Sequence, residues 1–323
     1  MLHSEISADQ LHSLLIDSAR VGSQSCNDLI VFYATTTAYE EYNNSAQNEN
    51  GFIPTTQYFD FKNDVADKNS PLSSTMPSLS EFQEKVRAFG VHTFGEHTFG
   101  VHTFGVHNST HIVVYDDIGN FYASRVWFMF KAMGHERIQV LAGGLNAWLA
   151  KGYDTESLRL SRLKPGSFIA KPNLNYQFVQ REFIQREFIQ QKILEADQQQ
   201  RLTLPLCDAR SPGRFYGTEA EERSWVRSGH IPHSISLHYK RLQNNTGAFL
   251  PVNELKQVFT DSSLTVENKN QETQGLAFTC GSGVTACILA QAAEALGYQP
   301  LYVYDGSWSD WGADENLPIA KGD

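Results

Sequence analysis

Residues 275–297 read GLAFTCGSGVTACILAQAAEALG, and PLYVYDGSWSDWG follows at 300–312. GLAFTC is an apolar run of strand length that stops at a glycine-rich turn. Val284 to Leu296 carries small and apolar residues over helical length and is stopped by Gly297, the residue type that ends helices most readily. PLYVYDGS is strand-like again. Strand-like and helix-like patterns thus alternate, as α/β domains do. The first half of the chain repeats the rhythm: HIVVYDD (111–117) reads as a strand, Ala123 to Met133 as a helix stopped by Gly134, and RIQVLAGG (137–144) as the next strand. The halves also match in letters. Gly51-Phe52-Ile53-Pro54 answers Gly229-His230-Ile231-Pro232, and the segment from Leu141 to Trp148 answers that from Tyr304 to Trp311. One α/β unit thus occurs twice. The expected division is 1–155 for the first copy, a polar connection over 156–175 containing LKPGSFIAKPN, and 176–323 for the second. Each copy should be a mainly parallel sheet flanked by helices.

The bulk numbers agree with two domains: 323 residues, at about 100–200 per domain. A formal charge of −10 argues against nucleic acid as a partner, though a few arginines in a pocket can still make it locally positive. No apolar run nears the ~20 residues that span a bilayer. The N-terminal MLHSEISADQLHSLLIDSARVG lacks the basic start and apolar stretch of a secretory signal and reads as a helix beginning near Ser7 or Ala8. The expected compartment is the cytoplasm. Cys26, Cys207, Cys280 and Cys287 have no CxxC spacing and read as separate reduced thiols.

Two stretches repeat with a period of five: FGVHTFGEHTFGVHTFGVH at 89–107 and FVQREFIQREFIQ at 178–190. Both are read as expansions in loops or at helix ends. His92, His97, His102 and His107 could suggest a metal site, but a five-residue step fits neither helical nor strand periodicity, so the rings would not share a face. No metal is expected.

The chemistry sits in Cys280-Gly281-Ser282-Gly283-Val284-Thr285, between a buried strand and a helix. Two glycines let the loop curl so that successive backbone N–H groups face one centre, and the helix start adds its own unpaired amides. A cysteine at the mouth of that loop is expected to serve as a thiolate nucleophile. The amides of Gly281, Gly283, Val284 and Thr285 would hold the negative charge of a persulfide. Cys287, inside the helix, reads as a packed structural residue.

CGSGVTA followed by YDGSWSDWG resembles the active site of 3-mercaptopyruvate sulfurtransferases of the rhodanese superfamily, which are built from two rhodanese domains. DARSPGRFYGTEAEER (208–223), GHIPHS (229–234) and the segments of 113–148 quoted above extend the resemblance over most of the chain. The resemblance implies an active second copy and an inactive first one, with Asp116 or Asp117 where the second copy has Cys280. It also implies that Arg214 and Arg223 bind the carboxylate and keto group of the donor; a guanidinium fork suits both. The alternative is that these arginines merely pair with Glu219, Glu221 or Glu222. Asp208 and Arg210 are expected to hold the strand end together, and His230 to be structural. Three positions depart from the family pattern. Ser74 stands where a relay histidine is usual, the relay acid falls near Asp64, and Tyr33 replaces an aspartate. Ser282 is the remaining relay candidate.

The implied reaction takes sulfur from 3-mercaptopyruvate onto Cys280, releases pyruvate, and passes the sulfur to thioredoxin, glutathione, another thiol or cyanide, without a cofactor. Two rivals share the fold: a thiosulfate-using rhodanese and a non-catalytic binding module. A cysteine phosphatase would need an arginine where Ala286 stands.

Overall fold

The computed structural model describes residues 2–21, 29–38, 41–42, 50–87, 92–94, 97–99, 105–158, 166–196, 204–221, 223–264 and 275–322. The chain forms two compact units. Unit 1 is Met1–Asp67, Met76–Asn173 and Asn245–Ala248; unit 2 is Lys68–Thr75, Leu174–Asn244 and Phe249–Asp323.

Unit 1 contains β1 (Glu5–Ile6), α1 (Ala8–Val21), β2 (Leu29–Thr35), β3 (Thr56–Asp60), a π-helical turn at Phe61–Val65, and α2 (Leu79–Arg87). After β4 (His92–Phe94) and β5 (His97–Phe99) come β6 (His111–Tyr115), α3 (Ala123–Ala132), β7 (Ile138–Leu141) and α4 (Gly144–Ala150). Its main sheet runs β1-β7-β6-β2-β3, with every neighbouring pair parallel.

Unit 2 contains β8 (Tyr176–Val179), α5 (Arg181–Ala196), β9 (Leu206–Asp208), α6 (Pro212–Tyr216), β10 (Ile235–Ser236) and a 3-10 turn at Tyr239–Leu242. There follow α7 (Val252–Asp261), β11 (Leu276–Thr279), α8 (Ala286–Ala295), β12 (Leu301–Tyr304) and α9 (Ser307–Trp311). Its sheet, β8-β12-β11-β9-β10, is again parallel throughout and has the same order as that of unit 1. The duplication read from the sequence is therefore a duplication of topology.

Central strands covered on both faces need apolar side chains on both. All four residues of β11 are buried, as are four of the five in β6. In α8, every residue from Ala286 to Ala293 is buried. The Ala-rich sequence lets that helix lie close to the sheet, and its position fixes where the preceding loop begins. Equivalent details recur around each core. Phe52 bridges Glu156 and His230 bridges Ala320; Trp148 Nε1 donates to Asp154 O at 3.0 Å and Trp311 Nε1 to Pro318 O at 2.8 Å.

Several expectations change. The stretch 156–175 is not a free connection: Phe168 is buried and donates its N–H to Val106 O, while Lys171 and Asn173 donate theirs to Met133 O and Ala132 O. The break between units falls at Asn173 and Leu174. The second five-residue repeat is not a loop or a helix end but runs through β8 into the body of α5. There Arg181 pairs with Asp310 and Asp314, Ile184 is buried, and the Phe183 ring lies 5.0 Å from that of Tyr302. In the first repeat, β4 and β5 pair as an antiparallel hairpin. His107 Nδ1 meets Ser167 Oγ at 2.8 Å, and His102 lies outside the described residues, as does Cys26. Among the described residues no three His, Cys, Asp or Glu side chains are grouped to hold a metal, and no helix is long and apolar enough to cross a membrane.

Candidate active site

Cys280 is the first residue past β11, at the C-terminal edge of the central strand, where ligands of open parallel sheets bind. The loop that follows is tied down by its carbonyls. Trp308 N–H donates to Cys280 O at 3.0 Å; the N–H and hydroxyl of Ser309 donate to Gly281 O at 3.0 and 2.5 Å. Cys280 N–H donates to Ser307 Oγ at 3.1 Å, and Ser307 Oγ donates to Tyr304 O at 2.7 Å. Ser307 holds a left-handed conformation, φ 50°, which is strained for a residue with a Cβ. With the carbonyls turned outward, Gly283 at φ 76° reverses the chain into α8. The amides of Ser282 and Val284 then have no protein acceptor among the described residues. Val284 and Thr285 are buried beneath the loop. The Ser282 hydroxyl, half-buried, likewise has no hydrogen-bond partner among the described residues.

Unit 1 reveals what such a loop can hold. Registers equate the two copies: Tyr33 pairs with Tyr115 and Asp208 with Thr279, so the residue after each central strand is Asp116 in one and Cys280 in the other. Asp116 is fully buried, and its carboxylate accepts four backbone N–H groups. Those of Ile118 and Asn120 reach Oδ1 at 3.1 and 2.8 Å; those of Tyr122 and Ala123 reach Oδ2 at 2.7 and 2.9 Å. Leu145 N–H binds Asp116 O as Trp308 N–H binds Cys280 O. The loop architecture therefore cradles a carboxyl group on backbone amides, whose four N–H groups counter the burial that raises its pKa. In unit 1 that group is the protein's own, which settles the choice between Asp116 and Asp117. In unit 2 the same place begins with a sulfur. The same register puts Tyr33 where unit 2 has Asp208, so unit 1 lacks the acidic anchor as well.

Both arginines named from the sequence converge on the loop. A side chain added at Gly281 would meet Arg214 Nη2 at 3.3 Å and Arg223 Nη1 at 3.8 Å. Ser211 caps α6 and Pro212 opens it, which fixes Arg214 on that short helix. Asp208 and Arg210 hold the strand end, as expected. Arg210 Nη2 lies 2.7 Å from Asp208 Oδ2 and 2.9 Å from Gly229 O, and its guanidinium sits 4.5 Å from the Trp308 ring.

Sequence reasoning treated Glu221 as an alternative partner for exposed arginines, but it is a buried bridge. Its Oε1 accepts from Arg210 Nη1 at 2.6 Å, and its Oε2 from Arg214 Nη2 at 2.7 Å and Nε at 3.1 Å. Glu219 instead accepts from Ser211 Oγ at 2.8 Å, and Glu222 lies outside the described residues. Arg223 has no ion pair among the described residues. Ser307, Ser309 and Glu221 are the site residues missed. The recurring serines of GSWS were a visible signal for the first two.

Ser74 is buried within Lys68–Thr75, which packs with unit 2, whereas Asp64 stands on the π-helical turn of unit 1. His230 is structural: its ring stacks 3.8 Å from Phe215, Nδ1–H donates to Phe215 O at 2.9 Å, and burial lowers its pKa. Cys287 Sγ–H donates to Gly283 O at 3.3 Å, and the buried Cys207 thiol is pushed far up by desolvation. Neither competes with Cys280.

The rhodanese-like domain family matches the chain twice, over residues 36–151 and 190–314. Thiosulfate/3-mercaptopyruvate sulfurtransferase 2 of Arabidopsis thaliana is 32% identical over 97% of this chain and 85% of its own length. Rat thiosulfate sulfurtransferase is 34% identical over 80% of the chain and 76% of its own length. The crystal structure of the Escherichia coli 3-mercaptopyruvate sulfotransferase SseA covers 95% of this chain and 99% of its own, with a TM-score of 0.70 at 24% identity. Two matched copies, one topology used twice and an amide-lined loop after each central strand make this chain a member of the rhodanese family, with two rhodanese domains in tandem.

Proposed function

We propose that the chain is a 3-mercaptopyruvate sulfurtransferase working through a Cys280 persulfide. The observation that carries this reading is the convergence of Arg214 and Arg223 on Gly281, beside the cysteine. Two guanidiniums next to an amide cradle suit a donor with a carboxylate and an α-keto oxygen at one end and sulfur at the other. The Cys280 thiolate attacks that sulfur. The carbon–sulfur bond breaks, its electron pair leaves as the enolate of pyruvate, and a proton, routed through Ser282, converts the enolate to pyruvate. The persulfide rests on the loop amides. An acceptor thiolate or cyanide then attacks the outer sulfur, the S–S bond breaks, and the Cys280 thiolate returns. Splitting one transfer into two displacements is the gain of covalent catalysis.

Thioredoxin and glutathione are the acceptors this chemistry suits. Ser74 and Asp64 are the candidate relay residues that the family resemblance implies. The cytoplasm is the proposed compartment, supported by the free thiols of Cys207, Cys280 and Cys287. Thiosulfate is the rival donor. The uncharged Gly281 and Ser282 speak against it, because they add no positive side chain beside the sulfur.

Pyruvate release from 3-mercaptopyruvate, with and without a thiol acceptor, tests the reading. Sustained release should need both the acceptor and Cys280. An enzyme inert toward 3-mercaptopyruvate but active on thiosulfate would overturn the donor assignment.

A further inference from the structure

The sulfur loop is held by a helix too short to hold itself. α9 spans five residues, Ser307–Trp311, well below the ~12–15 at which isolated helices begin to persist in water. It nevertheless supplies the N–H of Trp308, the N–H and hydroxyl of Ser309 and the hydroxyl of Ser307 that fix Cys280 and Gly281. Its far end is held by Arg227, which donates to the carbonyls of Trp311 and Gly312. Its middle is held by Asp310. That carboxylate accepts from the Tyr304 hydroxyl at 2.7 Å, from Arg181 Nε at 3.2 Å and from Arg181 Nη2, while Arg181 Nη1 reaches Asp314 Oδ2 at 2.7 Å. Arg181 opens α5 inside the second five-residue repeat.

Unit 1 is the internal control. Ile6 pairs with Leu141 as Val179 pairs with Tyr304, and Ala8 opens α1 just as Arg181 opens α5. Ala147 N–H donates to Gly143 O as Asp310 N–H donates to Gly306 O. Ala8, Leu141 and Ala147 therefore stand where unit 2 has Arg181, Tyr304 and Asp310. The copy with Asp116 keeps the sheet, the short helix and the bond from Leu145 N–H to Asp116 O, yet has none of the three polar side chains. The fold does not require them. Ion pairs at 33% and 15% side-chain exposure also add little to stability.

We infer that Arg181 and Asp310 are positioning residues for sulfur transfer: their ion pair seats α9 so that its first turn aims the Cys280 loop amides at the sulfur. They act through Ser307, Trp308 and Ser309. The inference rests on Cys280 being the nucleophile, and it gives the arginine of the repeat a part in the reaction.

The test is a single turnover without acceptor, in which 3-mercaptopyruvate loads Cys280 and pyruvate release is followed. In Arg181→Met the rate at saturating donor should fall at least about tenfold, while the half-saturating donor concentration stays within about twofold, because Arg214 and Arg223 lie outside α9. Arg181→Lys, which restores a cation, should recover at least about a third of the wild-type rate. Asp310→Asn should slow loading as Arg181→Met does, and the double variant should be no slower than the slower single one, since both remove the same interaction. A wild-type loading rate in folded Arg181→Met would mean a purely structural role and overturn the inference. So would equal rates in Arg181→Met and Arg181→Lys, or losses that multiply in the double variant. If Arg181→Met does not fold, the unit 1 set of Arg181→Ala, Tyr304→Leu and Asp310→Ala in one chain replaces it and is read in the same way. A wild-type enzyme that releases no pyruvate overturns the donor reading instead, and thiosulfate then loads Cys280 with sulfite release as the signal. Loading that survives in Cys280→Ser overturns the choice of nucleophile.

Discussion

Cys280 and Cys287 lie on one short stretch of chain, yet their surroundings separate them chemically. Cys280 opens an amide-lined loop, and Cys287 is buried in α8 with its thiol donating to Gly283 O. Cys280→Ser should abolish sulfur transfer, because a hydroxyl cannot carry sulfane sulfur, while Cys287→Ser should keep most of the rate. Equal loss in two folded variants, measured as pyruvate release, would move the nucleophile elsewhere. Ser307 offers a finer test. It combines a left-handed backbone with a hydroxyl that receives the Cys280 N–H. Ser307→Ala keeps the strain and orphans a buried donor, at a cost of roughly 1–3 kcal/mol. Ser307→Gly orphans the same donor but relieves the strain, so it should unfold at a higher temperature than Ser307→Ala. Both should turn over more slowly than wild type, and normal rates in both would remove Ser307 from the positioning of Cys280.

At the scale of elements, the two central strands and the helices after them were legible in the sequence. Buried parallel strands and Gly-terminated helices leave strong local patterns. The positions of Cys280 just after its strand and of Tyr33 in the first copy were legible too, and the strand registers agree with both. Glu221 was not: its pairing with Arg210 and Arg214 crosses a turn and depends on burial that spacing does not reveal. Neither was the packing of Asn245–Ala248 against the Asp116 loop, where Gly247 closes on Gly119 and Asn120 Nδ2 donates to Gly247 O at 3.4 Å. Local periodicity carries no trace of so distant a contact. The loop of unit 1 yields a prediction of its own. Asp116→Asn replaces two accepting oxygens by one oxygen and an NH₂ group that faces two backbone donors. The variant should lose about 2–4 kcal/mol of unfolding free energy in urea. A loss below about 0.5 kcal/mol, the usual effect of a surface change, would mean that those four bonds do little for unit 1.

For the whole molecule, acid stability should be governed in part by His135. It is 1% exposed in unit 1, its Nε2–H donates to Thr110 O at 2.9 Å, and burial lowers its pKa to about 4. The unfolded chain protonates this ring near pH 6.5 and the folded protein only near pH 4. Its contribution is therefore fully present above about 6.5 and is lost as the pH falls through that window, on the order of 3 kcal/mol in all. The stability gap between wild type and His135→Gln should narrow from pH 7 to pH 4.5 in denaturant titrations. A gap that stays constant would show that the ring titrates alike in both states.

The filled loop of unit 1 also gives the protein an internal clock standard. Amide hydrogens locked onto the Asp116 carboxylate cannot swap with deuterium until that loop opens, whatever happens at Cys280. Those of Ser282 and Val284 should swap quickly while the sulfur site is empty and slow once a persulfide lies across them. Deuterium uptake by a peptide covering 280–287, divided by that of 116–123, would then follow sulfur loading and discharge within a single chain. A ratio that does not move between the resting and the sulfur-loaded enzyme would mean that the second loop holds its cargo by other atoms.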